Sequence, residues 1–308
     1  MQIAVVIPTY NARETILNVV QNIPKDISKI IIVDDKCPQK SSELVENNIS
    51  DERVVVIRNE QNLGVGGATQ IGFKTAFSYD VDICVKVDSD DQIDPQLVKP
   101  LVAFMLEKEC GYAKGSRFTT RKNFNNMPTY RILLNSILSF TNKLASGYYS
   151  LNDPTNGLIA ITRHAFESIE FERVAKRYFF ESDMLHHLGL ARIKCCDFPM
   201  RAIYADEKSG LKIRDEIFSF MHGNIRNFFR RIFIRHFILN FSVPAIYFSM
   251  SFVLIFVGSI IGLYHLFFNN LQGEALPAGI VIWPAFLLIL GINFLTNFFV
   301  LDVRDEPS

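Results

Sequence analysis

The sequence predicts an α/β domain on a mostly parallel sheet, followed by amphipathic interface helices and a two-helix transmembrane hairpin. Three observations carry that class. Short apolar runs alternate with helical patterns through residues 1–210. Polar clusters follow those runs, at the strand ends where parallel sheets bind ligands. Residues 243–268 and 278–301 contain no Asp, Glu, Lys or Arg. Each exceeds the roughly 20 apolar residues that cross a bilayer core as a helix.

The elements follow in order. Ile3–Ile7 reads as a buried strand, and Ala12–Asn22 as a helix ending before Pro24. Lys29–Val33 is a strand, Ser41–Asn48 a helix and Arg53–Arg58 a strand. Gly66–Ser78 is a helix after a glycine-rich turn, and Asp82–Val87 is a strand. Pro95–Lys108 is a helix with Asp94 as its N-cap. Gly115–Arg117 follows a further strand, and Asp153–Gly157 is a turn heading a strand at Leu158–Ile161. Between them Met127–Ala145 reads as an amphipathic helix. Tyr130, Leu133, Ile137, Thr141 and Leu144 share one face of it, and Arg131, Asn135, Ser139 and Asn142 the other. From Lys212 to about Phe241 a basic helix sets Ile217, Met221, Ile225, Phe228 and Ile232 against Ser219, His222, Arg226 and Arg230. Beside a span, such a helix lies in the membrane interface, packs on the soluble domain, or does both. The expected division is a domain over 1–210, a juxtamembrane region over 211–241, a hairpin over 242–302 and a tail over 303–308.

Lys+Arg and Asp+Glu both total 32, so no global charge points to nucleic acid. The loop 269–277 holds no Lys or Arg, whereas Arg226, Arg230, Arg231 and Arg235 precede the first span and Arg304 follows the second. The positive-inside rule then puts the soluble domain and both termini in the cytoplasm, on an inner, plasma or ER-type membrane. The start, MQIAVVIPTYN, lacks the pattern of a cleaved signal peptide. Cys37, Cys84, Cys110, Cys195 and Cys196 lack metal-ligand spacing and are expected to stay reduced, the adjacent pair in a strand core.

The polar clusters are Pro8–Asn11, Asp34–Lys36, Asn62–Gly67 and Asp88–Gln92. Side-chain alternation puts Asp88 and Asp90 on one side of an extended segment. Such a pair suits Mg2+ or Mn2+, which takes one or two carboxylates plus substrate phosphates, with Gln92 as a further oxygen ligand. The run NLGVGGA is neither a Walker A loop nor G-x-G-x-x-G. Its glycines and the helix after it suit an anion, or the run is a plain tight turn.

As a set, IPTYN, VDD, NLGVGGA and VDSDDQIDP resemble the family 2 glycosyltransferases of the GT-A fold, the Rossmann-like fold of nucleotide-diphospho-sugar transferases. The pattern D-x-D-x-Q is most similar to their dolichyl- and polyprenyl-phosphate sugar transferases. The resemblance covers residues 1 to about 210. It implies a UDP- or GDP-sugar donor, a polyprenyl (undecaprenyl or dolichyl) phosphate acceptor, a lipid bilayer as partner and no nucleic acid. Self-association into a homo-oligomer stays open. By motif it nominates Pro8, Tyr10, Asn11, Asp35, Asn62, Gly64, Asp88 and Ser89 for the nucleotide sugar, and Asp88, Asp90 and Gln92 for the metal. Arg117 and Arg131, with Asn135 and Ser136 beside them, are nominated for the lipid phosphate, whose oxygens suit a planar guanidinium fork. Arg201 and Lys208, with Ser209, fall in a stretch resembling the family's acceptor loop, here with the order changed to E-K-S-G. The loop DDKCPQKS departs from the commoner D-D-x-S-x-D.

A lipid phosphate is already an anion near neutral pH. The resemblance therefore implies a single inverting displacement without a strong carboxylate base, with Asp90, Arg117 and Arg131 as the catalytic set. The product would be a polyprenyl-phosphate monosaccharide for cell-envelope glycan or glycoprotein assembly. The alternative acceptor is a hydroxyl of a lipid-linked saccharide, which would need Glu181 or Asp183 of FFESD as base. Processive synthases carry Q-x-x-R-W, but Trp283 lies inside the second span, so long-chain synthesis is not expected.

Overall fold

The computed structural model describes residues 1–117, 129–200, 212–272 and 277–308. They form two compact units, Met1–Phe228 with Pro307–Ser308, and Phe229–Glu306.

The first unit is built on a seven-stranded sheet. Its strands are β1 (Ile3–Thr9), β2 (Lys29–Asp34), β3 (Val54–Arg58), β4 (Ile83–Lys86), β5 (Tyr112–Ser116), β6 (Ile159–Thr162) and β7 (Cys195–Pro199). Their order is β3-β2-β1-β4-β6-β5-β7. β6 runs antiparallel to β4 and β5, and the other pairings are parallel. The inner strands are apolar throughout because both faces are covered. Alternation sends Val5 and Ile7 to one layer, under α1 (Ile16–Gln21), α2 (Ser41–Asn48) and α4 (Val98–Glu107). It sends Ala4 and Val6 to the other, with Phe73 of α3 (Gly64–Ser78) and Leu188 of α7 (Phe180–Leu190). A short helix, α6 (Arg163–Glu167), follows β6. Asp94 caps as expected, its side chain accepting from Gln96 N at 2.9 Å, but the cap opens a 3-10 turn ahead of α4.

One expectation is corrected. Cys110 and Cys196 form a disulfide with Cα atoms 6.3 Å apart. The β5–β7 pairing sets Ala113 beside Cys196 and so joins residues 86 positions apart, which spacing in the chain cannot reveal. Cys37 and Cys84 are free thiols, and both are buried, as is Cys195.

Both amphipathic helices bury amides and expose apolar residues. α5 (Thr129–Ser146) buries Asn142 and exposes Ile137 and Phe140. α8 (Lys212–Ile232) buries Asn224 and Asn227 and exposes Phe218 (74%) and Ile225 (50%). The buried amides join the helices: Asn142 Nδ2 donates to Ser182 O (3.2 Å) and Asn224 Oδ1 (3.4 Å), and Asn224 Nδ2 to Thr141 Oγ1 (3.2 Å). An outward face rich in Phe and Ile over a polar inner seam fits a non-aqueous surface, one of the two placements open to α8 in the sequence.

The second unit holds a π-helical segment, Phe233–Leu239, then α9 (Val243–Gln272) and α10 (Ala278–Arg304). α9 and α10 pack antiparallel, with Gly258 against Leu287 and Gly291 against Ile255. Both are long and apolar enough to cross a membrane, and most of their surface is exposed, unlike that of a soluble core helix. Arg231 holds Asp302 at the end of α10 with two bonds of 2.8 and 2.7 Å, and Arg235 pairs with Asp305 at 2.8 Å. The entry to α9 and the end of α10 therefore meet.

Candidate active site

Parallel strands end at one edge, and an antiparallel strand between them begins there. The segments after β1, β2, β3, β4 and β5 and before β6 thus converge. All the polar clusters of the sequence lie on these segments. Left-handed backbone recurs among them, at Asn11 (φ 55°), Lys36 (φ 57°), Asp91 (φ 62°) and Asp153 (φ 50°).

Asp88 leaves β4 two residues after Lys86, and Lys86 organises it. The Lys86 ammonium is fully buried and lies 2.6 Å from Asp88 Oδ1 and 3.1 Å from Glu181 Oε1 of α7. It also donates to Gly157 O at 3.3 Å. Burial alone would lower its pKa, but Asp88 and Glu181 outweigh that and hold it above the ordinary lysine value. Gly157 makes the room, since a Cβ there would overlap the Asp88 carboxylate.

Asp90 is exposed, and its Oδ1 accepts from Gln92 N at 3.1 Å. The surrounding protein still desolvates it enough to raise its carboxyl pKa, and the Asp88 charge raises it further. Ser89 is buried and turns its carbonyl toward Thr15 Oγ1, 2.6 Å away. Among the described residues no cluster of three or more His, Cys, Asp or Glu could cage a metal alone. Two adjacent carboxylates are the donor set of a hard cation that completes its shell with substrate phosphates, so Asp88 and Asp90 fit Mg2+ or Mn2+ on that condition.

Asp35 is committed to the loop beside it. Its Oδ1 accepts from Leu63 N (2.8 Å) and Asn59 Nδ2 (2.8 Å), and its Oδ2 from Gly64 N (2.7 Å). Asn62 Nδ2 donates to Asp35 O at 3.3 Å. The glycine run serves packing: a Cβ at Gly66 would strike Phe180 Cβ and Ala175 O at 2.6 and 2.7 Å. Gly67 N donates to Lys176 O at 2.8 Å. These glycines thus seat the chain entering α7, and Asp35 and Lys176 take N–H groups that an anion would otherwise meet. Pro8 is buried at the end of β1, while Tyr10 and Asn11 stand exposed beyond it.

Arg117 follows β5. Its Nε and Nη2 donate to the Asp153 carboxylate, each at 2.7 Å. Burial pushes the Asp153 carboxyl up, but Arg117 and Lys114 hold it below the ordinary aspartate value. Arg131 lies in the first turn of α5, and its side chain falls outside the described residues. Asn135 and Ser136 lie on the same helix. Arg201, Lys208 and Ser209 are outside the described residues.

The two candidate bases are both engaged. Glu181 holds Lys86, and Asp183 accepts from Ala175 N (2.7 Å) and Asn227 Nδ2 (2.6 Å). Asp183 is 2% exposed.

The Glycosyl transferase family 2 profile matches residues 4–170, more than half of the chain. The chain belongs to glycosyltransferase family 2. This transferase is 32% identical over 218 residues to the UDP-N-acetylglucosamine–dolichyl-phosphate N-acetylglucosaminyltransferase of Methanococcus voltae, across 66% of this chain and 86% of that one. It is 26% identical to the polyprenol monophosphomannose synthase of Mycolicibacterium smegmatis, across 72% and 86%. Glucosyl-3-phosphoglycerate synthase from Mycobacterium tuberculosis, solved with Mn2+, UDP and phosphoglyceric acid, shares the GT-A-type fold: TM-score 0.54, 19% identity, 75% of this chain and 78% of that one.

Sequence reasoning missed Lys86, Asp153 and Gly157 as parts of this candidate site. A signal existed for the first. A lysine inside the buried run ICVKV needs a carboxylate partner, and the first acid downstream is Asp88.

Proposed function

We propose that the chain transfers a sugar from a UDP- or GDP-sugar to a polyprenyl phosphate at the cytoplasmic surface of a membrane. The carrying observation is that both carboxylates placed to act as base are already committed, Glu181 to Lys86 and Asp183 to Ala175 and Asn227. A site of that kind suits an acceptor that is already an anion. The phosphate oxygen attacks the anomeric carbon, the bond from that carbon to the diphosphate breaks, and the nucleoside diphosphate leaves from the opposite face with inversion. Asp88 and Asp90 would hold a divalent cation, which supplies charge neutralisation at the departing diphosphate. Arg117, its plane set by Asp153, and Arg131 would orient the acceptor.

Several features support the membrane setting. The exposed Ile137, Phe140, Phe218 and Ile225 form apolar outer faces on α5 and α8. The Arg231–Asp302 pair brings both ends of the hairpin together, as a hairpin with both ends on one side requires. The relative from Methanococcus has dolichyl phosphate in its name, and that from Mycolicibacterium has polyprenol monophosphomannose.

Purified protein in detergent, given polyprenyl phosphate, Mn2+ and a panel of radiolabelled UDP- and GDP-sugars, is expected to form an organic-extractable, acid-labile product. Turnover only with a lipid-linked saccharide would overturn the phosphate-acceptor reading.

A further inference from the structure

We propose that Lys86 is a positioning residue for donor binding. Its buried ammonium clamps Asp88 in the orientation that meets the nucleotide and its cation, and Glu181 anchors the clamp from α7. The inference rests on the transferase reading above and adds a residue to its donor site.

Lys86 ends β4 in a wholly buried position, where a lone ammonium is untenable. Its three acceptors, Asp88 Oδ1, Glu181 Oε1 and Gly157 O, match the three N–H bonds of an ammonium. Two carboxylates around one cation leave one surplus negative charge. The side chain of Asp88 is 30% exposed and that of Glu181 only 9%, so the surplus faces the site through Asp88. Glu181 and Gly157 O fix the lysine from behind, so it cannot follow Asp88 if Asp88 turns. Gly157 leaves the space that the carboxylate fills. With methionine at position 86, Asp88 would lose its tether, and Glu181 would be buried without its partner.

Wild type, Lys86→Met, Glu181→Gln and Gly157→Ala would be compared as full chains in detergent. The readouts are crystal structures, calorimetric binding of UDP and GDP with Mn2+, and donor kinetics. Lys86→Met is expected to turn the Asp88 carboxylate away from residue 157 and to weaken nucleotide binding about ten- to hundredfold, the scale of a hydrogen bond to a charged group. Donor KM should rise in parallel while kcat changes less than about threefold. Glu181→Gln keeps the packing and should show the same split more weakly. Gly157→Ala displaces Asp88 from the other side and should reproduce the binding loss even if Lys86→Met does not fold. An unmoved Asp88 with unchanged binding in Lys86→Met would overturn the proposal. So would a collapse of kcat at unchanged KM. If wild type bound neither nucleotide while Asp88 still moved in Lys86→Met, the transferase reading would fall and take the donor role with it, leaving only the hold of Lys86 on Asp88.

Discussion

Lys86 in the first unit and Arg231 in the second are both sealed from solvent, and each is held by acidic partners. Arg231 forms two bonds to Asp302, and His236 Nε2 lies 3.3 Å from the same carboxylate. The Arg231 and Asp302 side chains are both 0% exposed. The Lys86 cluster differs at one end, because Asp88 reaches the surface of the site. Taking charges out of water costs several kcal/mol per ion, which attraction offsets only when every hydrogen bond is made. A closed cluster can meet that condition and serve as a joint. A cluster with an open carboxylate keeps charge available for a ligand. The same chemistry thus serves cohesion in one region and binding in the other.

The largest effect should come from the open end. Asp90→Ala, or chelation of divalent ions, is expected to cut sugar transfer about a thousandfold, measured as labelled lipid product. Residual turnover near wild type would remove the cation from the account.

The closed cluster should act on stability alone. Arg231→Met strands Asp302 and should cost about 3–5 kcal/mol, seen as a lower melting temperature in detergent. The double variant Arg231→Met/Asp302→Leu should recover most of it. Donor KM should stay unchanged in both, and a shift would erase the distinction between the clusters.

Arg117→Lys should be smaller and specific to the acceptor. Its fork is set by Asp153, so lysine should raise the polyprenyl-phosphate KM about tenfold and leave donor KM alone. Smallest is Asp153→Asn. The native Asp153 carboxyl titrates below its ordinary value of 3.8, so its stabilisation is complete above that pH and is lost as pH falls through the lowered value. The stability gap between wild type and variant should therefore close on acidification, as followed by unfolding at stepped pH.

Much of this was legible in the sequence, for identifiable reasons. Alternating elements and two charge-free runs are local patterns, and both appear in the structure. Asp88 and Asp90 follow β4 at the predicted edge because a parallel sheet gathers its strand ends. What stayed hidden depends on distant partners. Lys86 and Glu181 are 95 residues apart, and only the packing of α7 on the sheet joins them. Gly157 owes its role to the carboxylate lying over it. Which face of α5 and α8 turns outward stayed open, because periodicity shows that a helix has two faces, whereas the surrounding medium decides which turns outward.

The central claim is transfer to an anionic acceptor without a carboxylate base, and Asp183 tests it most directly. The kcat of Asp183→Asn with polyprenyl phosphate and saturating donor should stay within about threefold of wild type, since the amide oxygen can still accept from Ala175 N while the amide nitrogen donates to Asn227 Oδ1 once that side chain flips. A fall of about a hundredfold or more with nucleotide binding intact, the scale of general-base catalysis, would contradict it.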